Sequence, residues 1–231
     1  SITMGNRVTT IGSGAFQNCS GLTFVTIPDS VTTIGDSAFC NCDSLRSITI
    51  PDSVTTIGES AFDGCTSLTS ITIPDSVKII DYYAFNNTGY YNDESNWENG
   101  SLYINNHLIK VKKGLSGKYQ IKDGTKTIAG EAFRECEYFT SIIIPDGVIS
   151  IGNYAFSHCY ALQDITIPDS VTIIDSGAFS NCESLTSITI PSGVKTINSY
   201  TFYYCDSLRS IIISDSVTAI GWYAFYGCDS L

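Results

Sequence analysis

Nine cysteines are the residues best suited to chemistry in this sequence. Neighbouring copies stacked at the ~4.8 Å spacing of strands would point the same way, and bridging them would need backbone movement. Zinc needs four ligands, and neither His107 nor His158 lies at a usable spacing from the Cys40-x-Cys42 pair. We therefore predict small, buried, free thiols and neither a metal nor another cofactor. Eight share one position of a repeated pattern: Cys19, Cys42, Cys65, Cys136, Cys159, Cys182, Cys205 and Cys228.

Acidic residues recur in the same regular way. A catalytic pair should be singular, whereas these carboxylates return in the turn of most repeats, and no nucleophile or phosphate-loop motif accompanies the two histidines. The sequence therefore predicts a protein that is not an enzyme. The acids are interpreted as turn caps, with a cation ladder as the alternative. They are Asp29, Asp52, Asp75, Asp123, Asp146, Asp169 and Asp215.

Two groups of aromatic and basic residues are candidate binding sites. The net charge of -11 argues against nucleic acid as a partner, because phosphate binding needs clustered Lys and Arg. One group is local and basic, and the alternative for it is a solvated hairpin whose lysines protect a sheet edge: Trp97, Tyr103, Lys110, Lys112, Lys113 and Lys118. The other is aromatic, and the alternative for it is packing against further repeats: Tyr200, Tyr203, Tyr204, Trp222, Tyr223 and Tyr226.

An internal repeat must position all of these residues. The pattern V-x-x-I-x-x-x-A-F-x-x-C-x-x-L-x-x-I-x-I-P-D-S begins at Val31 and returns after 23 residues at Val54, and again from Val148 onwards. Both ends of the chain fall inside a repeat, and no polar capping unit is visible. We therefore expect residues 1–231 to be a single solenoid and a fragment of a longer array.

Each repeat supplies one strand and one turn. The I-x-I segment alternates like a strand with its Ile pair inward, so equivalent strands should pair in parallel. The V-x-x-I stretch adds two inward residues on the return path, and A-F-x-x-C is long enough only for a turn or a 3₁₀ segment. Nine phenylalanines at one repeat position predict a continuous aromatic spine in the core: Phe16, Phe39, Phe62, Phe85, Phe133, Phe156, Phe179, Phe202 and Phe225.

The repeat is interrupted once, in its fourth copy. Val77 and Thr125 occupy equivalent positions 48 residues apart, so residues 86–124 contain an inserted loop and hairpin. Residues 86–101 are interpreted as the loop, and the segments 102–104 and 108–111 as the strands of the hairpin.

The repeat pattern resembles the leucine-rich repeat of the BspA-like surface proteins, also called the Treponema pallidum type. The resemblance covers residues 1–85 and 125–231, and the insert resembles a W-x-x-G-x-L-Y-I module found in this family, here Trp97, Gly100 and 102–104. It implies a β-rich, curved, right-handed leucine-rich-repeat solenoid. It also implies an extracellular or cell-surface location and adhesion to host matrix proteins, cells or other microbes.

The function predicted from these observations is that of an extracellular or cell-surface scaffold. Its partner would be a host extracellular matrix protein, a cell-surface protein or a glycan. The apolar runs are too short for a transmembrane segment. The alternative is a structural spacer that presents another domain of a larger surface protein, and residues 86–118 discriminate between the two because a spacer needs no insert.

Overall fold

The computed structural model describes residues 2–231, which form two compact units, Ser1–Ile109 and Lys110–Leu231. The strands of the first unit are, in chain order, β1 (Ile2–Thr3), β2 (Thr10–Ile11), β3 (Val25–Thr26), β4 (Thr33–Ile34), β5 (Ser47–Thr49), β6 (Thr56–Ile57), β7 (Ser70–Thr72) and β8 (Ile79–Ile80). The insert follows with the helical turn α1 (Gly89–Asn92), a 3₁₀ turn (Glu94–Asn96), β9 (Trp97–Glu98), β10 (Ser101–Ile104) and β11 (His107–Val111), in which the first unit ends.

The second unit repeats the same arrangement. Its strands are β12 (Ser116–Gln120), β13 (Thr127–Ile128), β14 (Tyr138–Ile143), β15 (Ser150–Ile151), β16 (Asp164–Thr166), β17 (Ile173–Ile174), β18 (Ser187–Thr189), β19 (Thr196–Ile197), β20 (Ser210–Ile212) and β21 (Ala219–Ile220).

Equivalent strands pair in parallel, 23 residues apart. On the side of the I-x-I segments, here called the first ladder, β1 pairs with β3 and β5 with β7, while β12, β14 and β16 form one sheet and β18 pairs with β20. Strand β5 shows the predicted alternation, because Ser47 and Thr49 are exposed and Ile48 is buried. The predicted fold class, a parallel-strand solenoid of 23-residue repeats, is confirmed.

The V-x-x-I segments also form strands, which the sequence analysis interpreted only as a return path. In this second ladder β2, β4, β6 and β8 form a four-stranded sheet, and β13, β15 and β17 pair in the same way, as do β19 and β21. Thr33 lies opposite Thr56 and Ile34 opposite Ile57. Their backbone groups can pair because the same segment returns at the same height in every turn.

Phenylalanines of consecutive repeats stack as predicted within each unit, but the described stacking forms two runs and not the single continuous spine that was expected. Ring centroids lie 5.1, 5.2 and 5.4 Å apart from Phe16 to Phe85. From Phe133 to Phe225 the spacings are 5.0, 5.3, 5.6 and 5.5 Å. The inner rings of both stacks are fully buried, so this position is core, and the two ladders and the A-F turns close around it.

The A-F turn contains two residues with left-handed backbone, which the sequence analysis did not predict. One lies just before the Ala-Phe pair and the other just before the cysteine, as in Ser37 (φ 53°) and Asn41 (φ 58°). Positive φ is favourable mainly for Gly and Asn. The signal in the sequence is that several repeats do carry Gly or Asn there: Gly14, Gly64, Gly177, Gly227, Asn18, Asn41, Asn87 and Asn181.

Candidate functional site

Residues 86–101 are more ordered than the loop that the sequence analysis assigned. Thr88 begins α1: its buried hydroxyl donates to the Phe85 carbonyl at 2.9 Å and accepts from the Tyr91 amide at 3.1 Å. Trp97 packs edge-on against the Tyr91 ring at 5.3 Å and donates its indole N–H to the Tyr91 carbonyl at 2.8 Å. The carbonyl of Tyr103 accepts from the Tyr90 hydroxyl at 3.0 Å. Trp97 and Tyr103 are therefore half-buried parts of the insert's own packing.

The turn of the hairpin caps the end of strand β7. In the preceding repeat the Ile50 amide donates to the Thr72 carbonyl, but the equivalent Ile73 amide donates instead to Oδ1 of Asn105 at 2.8 Å. Asn106 donates to Asp75 at 2.9 Å, and Nε2 of His107 lies 3.1 Å from the Pro74 carbonyl.

Three consecutive residues of the hairpin thus satisfy three consecutive residues that follow a strand. This arrangement covers an edge that would otherwise be open to pairing. The insert therefore has a structural role in the first unit.

The four predicted lysines lie in the second unit, and two of them are held by acids or carbonyls of the next turn. Nζ of Lys110 donates to the Glu131 carbonyl at 2.6 Å, and burial lowers the pKa of this amine. Lys113 forms an ion pair with Glu135, which raises the pKa of the lysine and lowers that of the carboxyl. Lys112 is half-buried and Lys118 is exposed on β12. The positive charge of Lys113 is therefore neutralised locally, and the amine of Lys110 is already engaged by a backbone carbonyl.

The structure brings five of the six C-terminal aromatic residues into one cluster. Tyr200 stacks on Tyr223 at 5.5 Å and Tyr203 on Tyr226 at 5.3 Å. Tyr204 meets the rings of Tyr203 and Tyr226 edge-on at 4.5 and 5.5 Å. With Trp222 these residues are here called the aromatic surface.

The aromatic surface is open to solvent. Trp222 is 79% exposed, and Tyr204, Tyr223 and Tyr226 are between 40% and 56% exposed. Its backbone is tied to the preceding turn, because the Tyr200 amide donates to the Trp222 carbonyl at 2.9 Å and the Tyr204 amide to the Tyr226 carbonyl at 2.8 Å. Large, rigid rings on a fixed backbone lose little entropy when a partner binds.

Three of these tyrosines occupy the left-handed positions of the turn. Tyr200, Tyr204 and Tyr223 have φ values of 61°, 52° and 53°, where earlier repeats carry Gly177 (65°) and Asn181 (58°). A bulky residue with this backbone costs roughly 1–2 kcal/mol relative to glycine. The same turn positions carry other non-glycine residues with positive φ, such as Ser60, Tyr83 and Tyr154, so this backbone is a general feature of the turn.

The cysteine ladder contributes no reactive site in the core. All nine thiols are free; Cys19 is exposed and Cys228 half-buried, in contrast to the prediction that all eight ladder thiols are buried. The thiol is covered by the turn of the preceding repeat, and Cys19 has no earlier A-F turn among the described residues. Burial raises the pKa of Cys159 and Cys182 well above the usual range and that of Cys136 to about 11.

The acid ladder does not cap the turns in the predicted way. In the described residues the side-chain hydrogen bond of this turn comes from the following serine, which donates to a Val carbonyl of the previous repeat, as from Ser53 to Val31 at 2.6 Å and from Ser170 to Val148 at 2.8 Å. The serine hydroxyl can donate to a carbonyl, which an ionised carboxylate cannot do. Asp75 accepts from Asn106 of the hairpin.

Residues 2–231 contain neither a cluster of metal-binding side chains nor a membrane-spanning helix. No three His, Cys, Asp or Glu side chains lie together as a potential metal site within this range. No helix of the described chain is long and apolar enough to cross a bilayer.

The architecture is that of a leucine-rich-repeat solenoid, and the comparisons with known proteins agree. The model of the BspA type leucine rich repeat region matches residues 1–113 and 112–231. The chain therefore belongs to the BspA-type leucine-rich-repeat family. Among curated proteins, none matches the sequence.

Several solved structures are similar to this chain. A leucine rich cell surface protein from Faecalibacterium prausnitzii is 34% identical, with a TM-score of 0.54 over 97% of this chain and 68% of its own. A leucine-rich repeat protein from Bacteroides ovatus is 28% identical, with a TM-score of 0.49 over 99% of this chain and 70% of its own. The leucine rich repeat protein of T. pallidum is also 28% identical, with a TM-score of 0.44 over 90% and 74%.

Proposed function

We propose that this protein is an extracellular or cell-surface scaffold that mediates adhesion by binding host proteins or glycans. The observation that carries the proposal is the aromatic surface, in which five tyrosine rings pack against one another on two consecutive turns and Trp222 is 79% exposed. The similarity to a cell surface protein of F. prausnitzii supports the location. The activity proposed is binding without catalysis.

The aromatic surface is a better candidate than the lysines of the insert. Exposed Trp and Tyr side chains are the residues most often responsible for binding energy at interfaces. Lys110 and Lys113 already contact Glu131 and Glu135, and a partner would have to replace these contacts. Lys112 and Lys118 stay as a second, weaker candidate for acidic partners.

The repeat supplies conservative variants for a test of the aromatic surface. Trp222→Ser and Tyr204→Asn introduce the residues that the preceding repeat carries at the same positions, Ser199 and Asn181. The matched control is Tyr83→Ser, which removes an exposed tyrosine with left-handed backbone (φ 59°) from the first unit. Wild type and variants would be applied to arrays of purified matrix proteins and glycans.

The wild type should capture at least one class of target. Trp222→Ser and Tyr204→Asn should each weaken capture at least about tenfold, as expected for central aromatic contacts, while Tyr83→Ser binds like the wild type. Unchanged capture by both variants would mean that the binding site lies outside the aromatic surface. A Lys112→Ala/Lys118→Ala double variant would then test the insert. If folded wild type captures nothing, the spacer is the better description.

A further inference from the structure

A cleft opens on the first ladder of the first unit, between strands β3 and β5. Its volume is about 310 Å³, and its lining includes Phe24, Thr26, Asp29, Ser47 and Thr49. This volume lies at the lower end of the range for sites that bind small ligands, roughly 300–1,000 Å³. The cleft is therefore large enough for one small ring and not for a folded partner.

The cleft lies at one of the two places within the units where neighbouring strands of the first ladder do not pair; the other is between β16 and β18. Among the described residues, no backbone hydrogen bond joins β3 to β5, although β1 pairs with β3 and β5 with β7. One repeat later, the Ile50 amide donates to the Thr72 carbonyl at 2.9 Å, and the equivalent bond from Ile27 to Thr49 is not formed. The ladder thus leaves space, with polar backbone on both sides, at this one point of the first unit.

Phe24 is the aromatic residue in an otherwise polar column of outward residues. The equivalent positions of the other repeats carry polar residues, among them Lys118 and Asp164, and none of them is aromatic; the serines are Ser47, Ser70, Ser141, Ser187 and Ser210. Phe24 is 54% exposed, so its ring is not part of the core. A residue required by the repeat would recur, whereas this aromatic ring occurs only beside the open cleft.

The lining suits a sugar ring. The ring of Phe24 offers an apolar face for the C–H groups of a pyranose. Asp29 and the hydroxyls of Thr26 and Thr49 can accept from and donate to sugar hydroxyls. Of the described residues that line the cleft, one carries a carboxylate and none is a cation. Acidic sugars would therefore be repelled by Asp29.

We propose that the cleft between β3 and β5 is a binding subsite for a single neutral pyranose residue, stacked on Phe24 and hydrogen-bonded by Asp29 and the strand hydroxyls. The alternative occupant is an extended peptide that pairs with the open strand edges. It is less favoured because the lining continues past the two strands to Asp29 and Pro51, where there is no strand edge to pair with. The proposal is independent of the aromatic surface, which lies in the second unit.

The test is saturation-transfer NMR with the whole chain and four probes: methyl β-galactoside, methyl α-mannoside, N-acetylglucosamine and N-acetylneuraminic acid. At least one neutral sugar should receive saturation, with a dissociation constant in the millimolar range, and the acidic sugar should not. Phe24→Ser restores the residue of the other repeats and should weaken binding at least about tenfold. Asp29→Asn should weaken binding of the neutral sugar and reduce discrimination against the acidic one.

The matched control is Tyr138→Ser, which removes a side chain of similar exposure (57%) from strand β14 and should bind like the wild type. Equal binding by Phe24→Ser, or no transfer from folded wild type to any neutral sugar, overturns the proposal. The proposal would also be overturned if a short Thr/Val-rich peptide bound in the cleft and none of the sugars displaced it. Because Phe24→Ser leaves Trp222 and Tyr204 unchanged, failure here and failure of the proposed adhesion surface give separate results.

Discussion

The thiol of Cys65 donates to the carbonyl of Phe39, 26 residues earlier, with an S···O distance of 3.0 Å. The same carbonyl accepts from the Cys42 amide at 3.2 Å, so the Phe39 carbonyl is bonded by its own turn and by the next. Cys159, Cys182, Cys205 and Cys228 repeat this bond at 3.1 to 3.3 Å. The cysteine position therefore carries a small side chain that can donate a hydrogen bond. This bond joins consecutive repeats.

The rate at which each cysteine reacts with a thiol reagent should depend on how exposed it is. In native protein a thiol reagent should label Cys19 quickly, Cys228 slowly and the buried cysteines only after unfolding, because the reagent cannot reach a buried thiol and burial also raises the pKa of Cys159 and Cys182. Mass spectrometry before and after denaturation without reductant checks this, with nine labels expected at the end. Rapid native labelling of Cys182, or fewer than nine labels after denaturation, would contradict it.

Phe179→Ala should lower the free energy of unfolding by about 3–5 kcal/mol. The ring is fully buried and has stacked neighbours at 5.3 and 5.6 Å, so truncation leaves a cavity between two rings. Urea denaturation of the purified variant measures the change. Phe225→Ala is the control: this ring is half-buried with one stacked neighbour, and its loss should cost less. Equal costs would mean that stacking is unimportant.

Ser53→Ala should cost about 1 kcal/mol of stability. The Ser53 hydroxyl donates to the Val31 carbonyl at 2.6 Å, and its loss leaves a carbonyl of the preceding repeat with one donor fewer. Ser187→Ala, at an exposed position of β18, should be neutral under the same denaturation conditions. If both substitutions have the same effect, the serine bond does not stabilise the stack.

Acidification should weaken the capped end of the first unit through His107. Burial lowers the pKa of this imidazole, opposed by its bond to the Pro74 carbonyl and the charge of Asp75. The unfolded chain then binds the proton more readily. The stabilisation is therefore complete above the unfolded pKa of about 6.5 and is lost as the pH falls below it.

Denaturation midpoints at about pH 7.5 and about pH 5.5 measure this loss. The His107→Gln variant keeps a donor but cannot titrate, so its midpoint should change less between the two pH values than that of the wild type. An equal change in both proteins would assign the pH dependence to other groups.

Several features could be predicted because they depend on repetition alone. The inward Ile48 of β5, the stacked Phe rings and the free thiols follow from identical residues returning every 23 positions, since equivalent side chains must then lie above one another. The second ladder was missed because two-residue strands such as β4 have no period of their own. The Ser53 bond was missed because its acceptor lies 22 residues away.

The sequence by itself determined the period, the core positions and the family, because a repeat that buries one face can be stable only by stacking on its copies. The tertiary structure decided which irregular residues meet. It tied Asn105, Asn106 and His107 to the end of β7, engaged Lys110 and Lys113 with the next turn, and packed the tyrosines of the last two turns against one another. It also opened the ladder beside Phe24. These contacts join residues unrelated by the period, so their partners are set by three-dimensional packing.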